Sequence, residues 1–182
     1  MNTISRRQFL DATGKVVFCA CAAHCLLTDA AAEETPDAYC GLYCGACSAL
    51  LNSKKAKRQA DVKCLGCKSA QKPPAYRNKC AVRKCAIEKK VVSCGACQEY
   101  PCPKFASLNS GKPKYGLREK YLNEIRKNGH AKWLADMKTR WTCAKCRTTF
   151  GYDMTACPKC AEKVCSDAEE LEAYNQSKAG RS

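Results

Sequence analysis

The chain has 182 residues, 46% of them apolar but only 8% aromatic, and 18 are cysteine. So thin an aromatic content excludes a large conventional core, and small domains of this kind are held by disulfides or metals. The formal charge of +15, from 32 Lys and Arg against 17 Asp and Glu, would by itself invite a nucleic-acid partner. Metal-bound thiolates offset part of that charge, because a zinc ion held by four cysteines is a net anion.

Ser5-Arg6-Arg7-Gln8-Phe9-Leu10 resembles the twin-arginine export motif, S-R-R-x-F-L, at every specified position, with Asp11 where a lysine usually follows. An apolar run from Val16 to Leu27 comes next. It is too short for a bilayer core of roughly 30 Å, which takes about 20 residues. Ala30-Ala31-Ala32 then offers a small-residue cleavage site before Glu33. Residues 1–32 are therefore expected to be a twin-arginine signal, the rival reading being an N-terminal helix that happens to carry two arginines. The resemblance implies the twin-arginine machinery as partner, a periplasmic or otherwise exported location, and loading of any metal in the cytosol before export. No transmembrane span is expected in the mature chain, and export argues against nucleic acid as partner. Cys19, Cys21, His24 and Cys25 would leave with the signal, so fifteen cysteines and His130 would remain.

After the polar linker Glu33–Ala38, residues 39–105 form a cysteine-cluster domain. Its ten cysteines fall as Cys40, Cys44 and Cys47, then Cys64 and Cys67, then Cys80 and Cys85, then Cys94, Cys97 and Cys102. Two sulfurs two residues apart turn onto one ion, and a second such pair completes a tetrahedron. Glycines beside these ligands (Gly41, Gly45, Gly66, Gly95) suit tight turns. A short helix with a solvated basic face is expected over 48–60 and another over 80–89. Tyr100-Pro101-Cys102-Pro103 reads as extended.

With Gly41, Leu42, Gly66, Tyr100 and Pro101 beside them, the ten cysteines match the pattern of the domain of unknown function 3795 family, which the stretch resembles over about 39–105. The family has no settled activity, so the resemblance implies a compact cysteine cluster and little more. The ligands are almost all sulfur. Zinc and iron–sulfur clusters both use four cysteines, and spacing leaves the two open, with zinc the first expectation. Two of the ten thiols are spare for two four-cysteine sites, as a disulfide pair or part of a shared polynuclear site. A framework of disulfides alone sits badly with an odd cysteine count and with folding in a reducing compartment. Cys40-x3-Cys44-x2-Cys47 also has the spacing of radical enzymes that use adenosylmethionine, but those need a barrel of about 250 residues.

A helical bridge over 115–141 follows a loop. Leu117, Tyr121, Leu122 and Ile125 share one stripe, Asn128-Gly129 stops that helix, and Trp133, Leu134, Met137 and Trp141 share the face of the next. His130 reads as a helix-start residue. Residues 142–165 carry Cys143, Cys146, Cys157 and Cys160 as C-x2-C-x10-C-x2-C, which resembles a minimal zinc ribbon, or rubredoxin-like ribbon, with Thr148, Phe150 and Tyr152 in short strands. Arg147 and Ala161 stand where such turns usually have glycine. Cys165 has no partner pair, Ser166 or Asp167 caps a further helix, and the tail from Gln176 within 166–182 reads as disordered.

The expected fold class is a small metal-stabilised α+β protein: an irregular cysteine-cluster domain with short helices, a helical linker and a C-terminal β zinc ribbon. No nucleophile–base pair or open metal position stands out, which favours a binding module with an unidentified protein partner over an enzyme. An iron–sulfur electron-transfer or redox-accessory protein and a metal-handling or thiol-redox protein are the alternatives.

Overall fold

Apolar periodicity in this chain comes in short bursts, and the helices are correspondingly short. The computed structural model describes residues 36–69, 79–108 and 111–180, so the segment expected to be an export signal lies outside the described residues. Among those described there are seven helices: α1 (Ser48–Lys55), α2 (Ala81–Glu88), α3 (Pro103–Ala106), α4 (Pro113–Gly116), α5 (Arg118–Asn128), α6 (His130–Arg140) and α7 (Asp167–Ala179). Single 3-10 turns form at Cys44–Ala46, Gln59–Asp61 and Cys94–Ala96. All of this belongs to one unit spanning Glu34–Ser182.

No strand forms among the described residues, where β pairing is limited to the isolated bridges Asp37–Tyr43, Thr142–Thr149 and Ala156–Lys163. The fold is therefore a mostly helical small domain with a four-cysteine cluster, and the β component expected over 142–165 shrinks to two bridges. The reason lies in where the backbone bonds go. The Tyr152 N–H donates to the Ala46 carbonyl at 3.1 Å, and the Tyr152 carbonyl accepts from the Asp167 N–H at 2.7 Å. Those groups are spent on distant segments and cannot extend a ladder.

The helix expected over 48–60 is shorter, because Ala56 is already extended (ψ 127°). Ser53 explains the stop. Its hydroxyl donates to the Ala49 carbonyl at 2.7 Å and accepts from the N–H groups of Lys63 and Cys64 at 2.8 and 2.9 Å. The returning strand of chain that carries Cys64 is thus pinned to the end of α1.

The core forms where the two apolar stripes meet. Leu117, Tyr121, Leu122 and Trp141 are fully buried, and Ile125, Trp133 and Met137 nearly so. Each such side chain contributes about 1.5–3 kcal/mol when withdrawn from water. Trp133 meets the Tyr43 ring edge-on, with centroids 6.3 Å apart, and Trp141 packs on Tyr152 at 4.6 Å. Gly129 (φ +85°) makes the turn between α5 and α6 in a region that favours glycine.

α7 begins at a full capping box: Ser166 accepts from the Glu169 N–H and the Glu169 carboxylate accepts from the Ser166 N–H. Glu170, nearly buried, accepts from Lys120 (2.6 Å), Tyr121 (3.1 Å) and Arg140 (3.1 Å), tying α7 to α5 and α6. This anchorage carries the helix through Ala179, so residues 176–179, expected to be disordered, are helical.

α5 rests on the cysteine turns at two glycines. A Cβ on Gly41 (φ +84°) would lie 2.8 Å from Leu122 Cγ, and one on Gly95 would lie 2.6 Å from the Leu122 carbonyl oxygen and 3.0 Å from Ile125 Cβ. Helix and turns meet backbone to backbone, leaving no slack for a methyl group. Gly95→Ala is expected to cost about 1–3 kcal/mol by overpacking, lowering the melting temperature by about 2–4 °C per kcal/mol. Gly111→Ala, where nothing lies within 4 Å of the added atom, should leave the melt unchanged, and thermal denaturation of the two variants side by side checks both.

Candidate metal centres

Two chain reversals near the C-terminus are built alike. The Cys143 N–H donates to the Thr148 carbonyl at 2.9 Å and the Arg147 N–H to the Cys143 carbonyl at 2.9 Å. In the second, the Cys157 N–H donates to the Glu162 carbonyl at 2.8 Å and the Ala161 N–H to the Cys157 carbonyl at 3.0 Å. Both turns close through a left-handed residue, Arg147 (φ 59°) and Ala161 (φ 57°). The absence of glycine therefore does not change the turn; the two side chains accept a conformation that costs L-residues about 1–2 kcal/mol. A Lys145–Glu162 ion pair at 3.0 Å joins the turns at the surface.

These turns bring Cys143, Cys146, Cys157 and Cys160 together, with all four sulfurs within 4.8 Å of one another. Cys143 Sγ lies 3.7 Å from Cys160 Sγ, and Cys146 Sγ lies 3.4 Å from Cys157 Sγ. A tetrahedron with metal–sulfur bonds of about 2.3 Å has sulfur–sulfur edges of about 3.8 Å, whereas a disulfide needs about 2.05 Å. The arrangement fits a single four-sulfur ion and does not fit two disulfides.

The electrostatics agree. The Thr148 hydroxyl and N–H donate to Cys146 Sγ and hold its thiol down at about 6. At Cys160 the Glu162 N–H pulls the other way from desolvation and from the sulfurs of Cys146, Cys157 and Cys143, and the net effect is upward, to about 12. Four thiolates gathered this closely repel one another, so a cation would be needed to hold them all ionised. Cys165 stays outside the cluster, exposed, with Sγ 3.6 Å from the Ser166 carbonyl.

The ten earlier cysteines are arranged differently. None of the fifteen described cysteines is joined in a disulfide. Among the described residues, the C-terminal four are the one group of three or more metal-type ligands with mutual distances within 4.8 Å, so the earlier ten are spread more widely. Burial first, and then the thiols of Cys67, Cys40, Cys47 and Cys64, push Cys44 well above the ordinary thiol range. Burial and the thiols of Cys40, Cys102, Cys97 and Cys85 push Cys94 up to about 12. Cys40 neighbours both groups; burial raises its pKa while Arg118 opposes that, and Cys80 adds a smaller upward push. Cations stand close by. Lys114 Nζ is 3.7 Å from Cys47 Sγ, and Arg83 Nε donates to the Cys67 carbonyl at 3.1 Å.

A polar cluster that sequence spacing did not disclose lies against α6. Asp37, fully buried in the segment expected to be a polar linker, has its Oδ2 2.6 Å from Lys68 Nζ and 2.9 Å from His130 Nε2. His130 does start α6, but it also closes a buried ion network with residues 93 and 62 positions away. Breaking one partner of such a network typically costs about 3–5 kcal/mol.

Residues 37–107 match the model of a family described as protein of unknown function (DUF3795), in line with the resemblance read from the cysteine spacing. No curated protein and no solved structure matches the chain. No helix of the described residues is long and apolar enough to cross a membrane.

Because Ala161 occupies the left-handed region, Ala161→Gly should relieve strain and stabilise the C-terminal centre by about 0.5–1 kcal/mol. A higher melting temperature and slower release of bound metal to a chelator would be the readouts.

Proposed function

We propose that this chain is a metal-held, non-catalytic protein that is exported in its folded state and presents a rigid surface to a protein partner. The observation that carries the reading is the closed set of four sulfurs at Cys143, Cys146, Cys157 and Cys160, all within 4.8 Å of one another. Such a set fills the coordination of zinc and leaves no position for a water or substrate, which is the pattern of a structural ion and not of a catalytic one. Zinc there would supply folding energy and no redox chemistry, and the two halves of a tetrahedron would be drawn from turns eleven residues apart. Within this proposal 142–165 acts as a zinc ribbon of minimal strand content, and the ten cysteines of 39–105 (Cys40, Cys44, Cys47, Cys64, Cys67, Cys80, Cys85, Cys94, Cys97 and Cys102) are metal ligands or their spares.

Export rests on Ser5-Arg6-Arg7-Gln8-Phe9-Leu10, the apolar run after it and Ala30-Ala31-Ala32. Metals would then enter in the cytosol, where thiols stay reduced. The basic surplus would serve solubility and thiolate compensation in an exported protein, with nucleic acid no partner.

One expression experiment with metal analysis tests both parts. Wild-type protein should carry one tightly held zinc more than the Cys146→Ser, Cys157→Ser double variant, and Arg6→Lys with Arg7→Lys should keep the loaded protein inside the cell. Zinc lost at once to a mild chelator would favour metal handling over a structural role, and unimpaired export of the lysine variant would overturn the signal.

A further inference from the structure

Between α2, the Cys94–Ala96 turn and α3 lies a cavity of about 230 Å³. Four of the ten early cysteines line it: Cys85 from α2, Cys94 and Cys97 from the turn, and Cys102 at the start of α3. Since a water occupies about 30 Å³ of liquid, the space exceeds what one ion with four sulfurs packed around it would leave. No three of these four sulfurs lie within 4.8 Å of one another, in contrast to the C-terminal set. The same chain thus holds one set of thiols drawn in to the spacing of a single ion and another set held apart around a void.

We propose that Cys85, Cys94, Cys97 and Cys102 ligate an iron–sulfide cluster in this cavity. In a cluster each thiolate binds its own iron, or two thiolates share one iron, so sulfurs on different irons stand farther apart than around one zinc, and inorganic sulfide fills the space between. The remaining walls suit such an occupant. Val82, Ala86, Val91, Tyr100 and Phe105 give apolar walls, with Val82, Ala86 and Tyr100 buried, which limits the access of water to acid-labile sulfide. The Tyr100 and Phe105 rings meet edge-on at 5.1 Å, closing one side. Lys89, Glu99 and Lys104 also line the cavity; Lys89 and Glu99 neutralise each other as an ion pair, which leaves Lys104 as the positive charge at hand for an anionic cluster. Gly95, held under α5, fixes the turn that supplies two of the four ligands. Cys40 neighbours Cys94 but does not line the cavity, and it is left out of the ligand set along with Cys80.

This rests on the reading that the cysteines of the chain are metal ligands, and it adds a second kind of centre to the zinc site. The test is anaerobic purification of the full chain, with reconstitution by ferrous iron and sulfide under a thiol reductant if iron is lost. Iron, acid-labile sulfide and zinc are then measured beside the visible spectrum. A brown protein with iron and sulfide in equal amounts is expected. Cys94→Ser and Cys97→Ser should lose the colour, Cys40→Ser and Cys165→Ser should keep it, and zinc should stay in all four. Val91→Phe, which fills the void without removing a thiol, should also lose the cluster while retained zinc reports an intact fold. A colourless protein with zinc at these four cysteines, or colour that survives Cys94→Ser or vanishes in Cys40→Ser, would overturn this assignment and leave the C-terminal zinc reading standing. Absence of any metal from the C-terminal four would bring down that reading as well.

Discussion

α5 can sit where it does only because two cysteine turns present bare backbone to it. Gly41 and Gly95 meet Leu122 and Ile125 at distances that no Cβ could share, and the apolar face so seated buries Tyr121, Leu122 and Ile125. A cysteine turn, however, has little reason to keep its shape without something to bind. The Cys94–Ala96 turn is one 3-10 turn whose cap is the Ser93 hydroxyl, accepting from the Gly95 N–H. Helix packing and thiol geometry are therefore one problem: the helix needs fixed turns, and under the proposed metal binding the turns would be fixed by what their sulfurs hold. This is how a chain with few aromatics obtains a definite core.

The same coupling gives the basic composition a structural use. Gathered thiols repel one another once ionised, and Cys44 and Cys94 show it in pKa values driven upward by burial and by neighbouring sulfurs. Arg118 beside Cys40, Lys114 beside Cys47 and Lys104 lining the α2–α3 cavity set positive charge against those sulfurs. If these thiols ionise on binding metal as proposed, a positive surface surplus would accompany buried negative centres, and net charge alone is a poor guide to partners.

The helices α5, α6 and α7 could be read from the chain because each carries its own signal: the Leu117–Ile125 stripe, the Trp133–Trp141 stripe, the stop at Gly129 and the Ser166 cap all appear where local chemistry put them, whereas α3 and α4 form where an extended segment and a loop were expected, each started by a proline. The C-terminal four-cysteine cluster was equally legible, since its turns are local and its spacing is tight. What escaped was long-range. Nothing near Asp37 announces that it will be buried between Lys68 and His130, and the ribbon's missing strands follow from Tyr152 bonding to Ala46 and Asp167. Nor does spacing divide ten thiols among sites; that four of them line one space follows only from how α2, the Cys94–Ala96 turn and α3 enclose it. The helical continuation through Ala179 depends likewise on Glu170 reaching α5 and α6, which the polar tail sequence does not reveal.

The central claim is that metal occupancy and the packing of α5 stand or fall together. Amide hydrogen exchange along Arg118–Asn128, followed before and after removal of metal by a chelator under reducing conditions, addresses it directly. The account predicts that protection of the Tyr121, Leu122 and Ile125 amides collapses together with that of the cysteine turns when metal leaves. Protection of α5 that persists unchanged in metal-free protein would contradict it.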